Sequence, residues 1–152
     1  MNLIKRRRKM EIERVGEGEL SAKLKSSLEK INCLVMPFTA NVRSMKGIPD
    51  RRIIHRDFRF FAEIKVPPNK PEKAQKQLHQ ELWKRRDYAF ILYLTKDSIQ
   101  AAILFSEKDF EKLLAPSPYG YDPIHLRTYF IYCVKEYDDL QRERNLQSMR
   151  GV

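Results

Sequence analysis

Apolar residues recur along this chain first with a helical period and then with a strand period, and the changes of period outline its elements. From residue 17 onward, Leu20, Leu24, Leu28 and Ile31 fall four, four and three positions apart, one apolar stripe along a helix. Glu17 and Glu19 sit in its first turn, where negative charge suits the positive end of the helix dipole. Cys33-Leu34-Val35-Met36-Pro37-Phe38 reads as a short strand closed by proline, and residues 39–47 as a polar loop. Two further apolar runs, Ile53-Ile54 and residues 60–66, flank Arg56-Asp57-Phe58 and predict a hairpin whose turn lacks glycine. Pro67-Pro68 ends the second strand, because a central strand does not tolerate lost ladder donors.

Pro71 suits the first turn of a helix that reaches about residue 86, with Leu78, Leu82 and Trp83 on its inner face. Residues 88–94 are apolar without alternation, the mark of a strand buried on both faces, and residues 99–105 predict another strand. Ser106-Glu107-Lys108-Asp109 reads as a helix cap ahead of Phe110, Leu113 and Leu114. Residues 116–123, with Gly120 and two tyrosines, predict a loop; residues 126–134 fit either element; residues 136–149 predict a terminal helix. No internal repeat is present. Helices alternating with strands over 152 residues imply one α/β domain from residue 16 to residue 152, preceded by a basic arm over residues 1–15.

Charge adds a partner to this outline. The formal net charge is +10, which points to a polyanion, most simply nucleic acid, with an anionic membrane surface as the competing source of the same excess. The longest apolar run is far too short to span a bilayer, and the basic residues 5–9 lack the apolar segment of a signal peptide. Cys33 and Cys133, a hundred positions apart, define neither a disulfide framework nor a zinc spacing, and are expected as buried thiols in a reducing compartment. These features predict a soluble intracellular protein, of the cytoplasm or nucleoid, or of the nucleus in a eukaryotic or viral setting.

Chemistry concentrates in Gly47-Ile48-Pro49-Asp50 and, after twelve intervening residues, Glu63-Ile64-Lys65. Glu63 and Lys65 stand two apart in an apolar run, so as a strand they leave the same face. Asp50 and Glu63 supply hard oxygen ligands for Mg²⁺, with Mn²⁺ able to substitute and the Ile64 carbonyl as a further ligand. Such an ion polarises a phosphodiester and lowers the pKa of a bound water, while Lys65 positions that water or neutralises the phosphoryl oxygens. A chance Glu/Lys surface pair would be worth well under about 1 kcal/mol. Placement in a hydrophobic strand argues otherwise, since ionised groups there are costly unless paired or metal-bound.

The order of helix, strand, hairpin carrying Asp then Glu-x-Lys, helix and strand resembles the PD-(D/E)XK nuclease superfamily, and within it the virus-type replication-repair nuclease (VRR-NUC) family, over roughly residues 13–95. The matching residues are Gly47-Ile48-Pro49-Asp50, Glu63-Ile64-Lys65 and Gln75, with Glu17 the best fit for the family's first acid and Glu13 and Glu19 as alternatives. The resemblance implies a restriction-endonuclease-like core, a mixed central sheet flanked by helices, over about residues 16–95, with a C-terminal extension over about 96–152. It also implies catalytic roles for Glu17 and Gln75, Glu17 completing the metal shell, and an endonuclease acting on branched DNA such as Holliday junctions, as a homodimer.

Around the motif, Arg43, Lys46, Arg51 and Arg52 are placed to bind phosphates beside the cut, and His79, four residues after Gln75 on the same helix face, is either structural or a phosphate contact. Two other readings remain open: a nucleic-acid-binding module with this fold and no turnover, and a basic adaptor carrying the motif by chance. The hairpin, with Arg59-Phe60-Phe61 where glycine is usual, and residues 96–152 depart from the family pattern.

Overall fold

Among the described residues, six strands order themselves β1-β2-β3-β4-β5-β6 across one sheet, each beside its neighbour in sequence. The computed structural model describes residues 3–38, 46–108 and 110–150, with side chains from residue 16 onward. The elements are α1 (Leu3–Glu29), β1 (Leu34–Pro37), β2 (Arg51–Ile54), β3 (Arg59–Lys65), α2 (Lys73–Lys84), β4 (Ala89–Leu94), β5 (Ile99–Leu104), β6 (Glu111–Leu113) and α3 (Pro123–Arg150). Every adjacent pair runs antiparallel except β3 and β4, which are parallel and therefore need the α2 crossover between them. This is the mixed sheet flanked by helices that the sequence predicts.

Strand alternation divides the sheet into two faces. Phe60, Ala62 and Ile64 of β3 join Leu24 and Leu28 of α1 and Leu126, Phe130, Cys133 and Tyr137 of α3 in the main core. The intervening residues Phe61, Glu63 and Lys65 point to the opposite face, in register with Ala89, Ile91 and Tyr93 of β4. Ile91 and Tyr93 there pack with Ala102 and Leu104 of β5 in a second, smaller cluster, and α2 lies against β4 and β5. Cys33 and Cys133 are both buried and unpaired, and no helix among the described residues is long and apolar enough to cross a membrane.

Three elements differ from expectation. The first helix begins at Leu3 rather than near residue 17, because the Lys, Arg, Met and Glu residues ahead of Gly16 favour helix intrinsically. The stretch read as a capped helix after Ser106 instead becomes a turn and the short strand β6, with Leu113 beside Ala102 and Glu111 beside Leu104. Here the free edge of β5 outweighs the local cap signal, because its unpaired backbone groups gain ladder partners. On α2 the buried residues are His79 and Trp83, while Leu78 and Leu82 are only partly covered. Residues 126–134, ambiguous in sequence, belong to the long helix α3, and β5, β6 and α3 complete the same sheet and core as the motif-bearing strands.

Candidate metal-and-phosphate site

Glu63 anchors the site because it is an acid in the middle of a sheet, 1 % exposed. Asp50, at the entry to β2, reaches across to β3, and its Oδ2 accepts the Ile64 backbone N–H at 2.8 Å. That bond brings the Asp50 and Glu63 carboxyls side by side. Burial, and next the Asp50 carboxylate, push the Glu63 carboxyl up to about 8, while Lys65 opposes both. Lys65 Nζ stands 3.7 Å from Glu63 Oε1 and is itself only 16 % exposed. Glu63 Oε2 is buried without a hydrogen-bond partner.

Gln75 completes the cluster from the other side. Its Nε2 donates to Glu63 Oε1 at 2.6 Å, and its Oε1 accepts the Glu72 backbone N–H at 2.8 Å. The second bond is half of a capping box at the start of α2, with Glu72 as the cap and Gln75 three residues on. The amide is thus fixed at both ends, its donor side aimed at the buried acid. The Glu72-Lys73-Ala74-Gln75 spacing is a helix-start signal visible in the sequence, and it identifies the amide's second partner.

The backbone of the preceding turn is fitted to the same helix start. Gly47 has φ +83°, and a Cβ on it would lie 2.2 Å from the Ala74 carbonyl oxygen and 2.7 Å from the Gln75 nitrogen. Only glycine allows that approach, so the Gly-Ile-Pro-Asp turn carrying Asp50 and the helix carrying Gln75 are held as one unit. In the sequence Gly47 is visible only as part of the Gly-Ile-Pro-Asp motif; the close approach to α2 is what requires glycine there.

The donor set suits a divalent cation. Burial and the neighbouring Asp50 make the ionised form of Glu63 costly, a cost that a divalent ion would offset, and Glu63 Oε2 is a ligand atom without a donor. Asp50, Glu63 and the Ile64 carbonyl are the groups that would hold such an ion. Among the described residues no set of three or more His, Cys, Asp or Glu side chains converges. Glu17, the first acid expected from the motif, is exposed on α1, and among the described residues it does not converge with Asp50 and Glu63.

The cationic residues separate into available and committed groups. Lys46 is exposed beside the Gly47 turn. Arg51 donates from Nη1 to the Asp50 carbonyl at 2.8 Å. Arg52 lies over the Phe61 ring at 4.3 Å and 3.7 Å from Asp87, so packing and an ion pair hold it, not open solvent. Arg43 falls outside the described residues. His79 is 2 % exposed with neither ring nitrogen partnered, and burial lowers it to about 4. Its ring is closed off from solvent on the helix face it shares with Gln75, and this burial favours the structural reading.

An α/β fold whose parallel strand β3 carries Glu63 and Lys65, with Asp50 and Gln75 brought to them from the turn before β2 and from α2, is thus the class this chain presents. Among solved structures the chain is similar to one described as "VRR_NUC domain", with 28 % identity and a TM-score of 0.44, over 50 % of this chain and 82 % of that one. No protein-family model matches the chain, and no curated protein does.

Proposed function

We propose that this protein is a divalent-metal-dependent nuclease that hydrolyses phosphodiester bonds in DNA. The observation that carries the reading is Glu63, a buried acid held at once by Asp50, Lys65 and Gln75. A structural acid would be satisfied in that position; this one keeps an unpartnered oxygen and a second carboxyl beside it.

Mg²⁺, or Mn²⁺ in its place, would supply Lewis-acid polarisation of the phosphate and a more acidic water. The chain's own groups do the rest. Asp50 and Glu63 present their oxygens together because the Ile64 N–H fixes one and the Gln75 amide fixes the other. Lys65, tethered near Glu63, offers its ammonium to the phosphoryl oxygens or to the attacking water, where charge grows as the bond to phosphorus forms. Gln75 holds the Glu63 carboxylate in one orientation, so no reorganisation is needed when substrate arrives. Lys46, exposed beside the Gly47 turn, and Arg51, next to Asp50 in sequence, are assigned to phosphates beside the cut, and Glu17, exposed on α1, is the further acid the motif resemblance offers.

The substrate we propose is branched DNA, cut by a homodimer. The motif resemblance supports this part, together with the unpaired outer edge of β6 and the exposed Phe110 and Leu113 around it. The test is Mg²⁺-dependent cleavage of duplex, flap, single-stranded and four-way DNA by the wild type, Asp50→Asn and Lys65→Ala. Cleavage by the wild type alone is expected, strongest on four-way DNA. Equal cleavage by all three proteins would mean contamination and end the assignment; binding without cleavage would favour a module without turnover.

A further inference from the structure

One groove on the surface runs along the outer face of α2 and ends at the contact between the Gly47 turn and the start of that helix. It encloses about 900 Å³ and is lined by Lys46, Lys73, Lys76, Gln77 and Lys84, with Leu78 in its wall. Its near end is fixed by the contact of Gly47 with Ala74 and Gln75, so Lys46 and Lys73 flank the same helix turn from which Gln75 reaches Glu63. From Lys73 to Lys84 the helix rises about 16 Å, a span of roughly five nucleotides at about 3.4 Å each.

Charge along the groove is uneven. At the far end Lys84 pairs with Glu81 and Glu107 at 3.3 and 3.0 Å, which neutralises that end, and Gln80 is tied to the Ser106 carbonyl. At the near end, among the described residues, neither Lys46 nor Lys73 is paired with an acid. Lysine charge without an acid partner therefore gathers at the end of the groove next to the Gly47 turn, the turn that carries Asp50. The comparable cavity between α1 and residues 118–123, about 620 Å³, lacks this character. Its Lys23 already donates to the Lys96 carbonyl and lies over the Tyr121 ring, and Asp97 and Asp122 line it.

We infer that this groove seats a DNA phosphate backbone flanking the Gly47 turn, with Lys46 and Lys73 taking its phosphates. The inference rests on the nuclease reading for its direction, yet it concerns binding and is measured without turnover. Fluorescence anisotropy of a labelled DNA duplex, in EDTA and over a series of salt concentrations, compares the wild type with Lys46→Glu, Lys73→Glu and the double variant. Arg144→Glu, on the exposed side of α3, serves as a charge-matched control.

Each groove variant is expected to weaken binding about fivefold or more, the double variant further, and each to flatten the log–log salt dependence by about one charge. Arg144→Glu should stay within about twofold, and circular dichroism should show all variants folded. Equal losses for groove and control variants would overturn the inference, as would wild-type affinity in the groove variants or no DNA binding by the wild type. Groove-dependent binding with no Mg²⁺-dependent cleavage would leave the groove standing and end the nuclease reading. Cleavage by the wild type with unchanged binding in the groove variants would do the reverse.

Discussion

Gly47 and Ala74 meet backbone to backbone: a Cβ on Gly47 would lie 2.2 Å from the Ala74 carbonyl oxygen. No side chain survives that distance, so Gly47→Ala must push the Asp50 turn away from the start of α2. Gly120 gives a matched control, since it too has positive φ, +56°, and its Cβ would lie 2.6 Å from the Asp97 carbonyl oxygen, away from the acid pair. Both substitutions should lower the melting temperature, each by the cost of a left-handed alanine, about 1–2 kcal/mol, plus the clash. Only Gly47→Ala should also cut kcat for DNA cleavage by an order of magnitude or more. If the two variants lose activity in proportion to their stability, the turn has no positioning role.

The same unit shows what the sequence could and could not convey. A period of two along residues 60–66 placed Glu63 and Lys65 on one side of a strand, and the structure keeps them there, because period in a strand dictates side. Gln75 was legible as near in sequence, and the capping spacing from Glu72 fixes why its amide faces Glu63. Glu17 was legible as an acid ahead of a helix's apolar stripe, but its exposure depends on how α1 packs, which the stripe does not convey. His79 reads as either structural or a phosphate contact, and only the packing of α2 on β4 and β5 shows it buried. The turn after Ser106 carries real cap chemistry, and it yields to the unpaired edge of β5, a demand set by residues far away in sequence.

Gln75 donates at 2.6 Å to an acid that is 1 % exposed, so removing it strips Glu63 Oε1 of its amide donor in a place water does not reach. Gln75→Ala should cost about 1–3 kcal/mol of stability from the unsatisfied group, and the freed carboxylate should lower cleavage about tenfold or more with substrate binding little changed. Gln75→Glu should be worse for the metal-free protein, since it sets a third carboxyl beside the first two. Thermal melts and steady-state kinetics on both variants check this. Unchanged kcat in Gln75→Ala would remove the amide from the working site.

His79 makes stability depend on pH in a definite direction. Burial lowers the folded imidazole to about 4, whereas the unfolded one titrates near about 6.5. Between those values the unfolded chain binds the proton and the folded chain does not. The favourable contribution is therefore complete above about 6.5 and is lost as pH falls toward about 4. The loss amounts to roughly 3 kcal/mol. His79→Leu, which cannot charge, should gain on the wild type by that amount between pH 7.5 and pH 4 in urea titrations. Parallel pH profiles for the two proteins would contradict the burial of an unpartnered imidazole.

Tyr129 ties the last helix to the sheet through two backbone groups at once. Its hydroxyl donates to the Ala115 carbonyl at 2.8 Å and accepts the Ala101 N–H at 2.9 Å, with the ring 3 % exposed. Ala101 belongs to β5, and Leu114, beside Ala115, also donates its N–H to the Ala101 carbonyl. One oxygen thus fixes the crossing of α3 over β5 and the chain that leaves β6. Tyr129→Phe keeps the ring and its packing against Phe130 but strands both backbone groups in the interior, at about 1–3 kcal/mol. For a chain of this size the melting temperature should fall by several degrees, and hydrogen exchange at the Ala101 amide should accelerate more than at its β4 neighbours. A variant as stable as the wild type would mean that water, or a shift of α3, replaces the hydroxyl without cost.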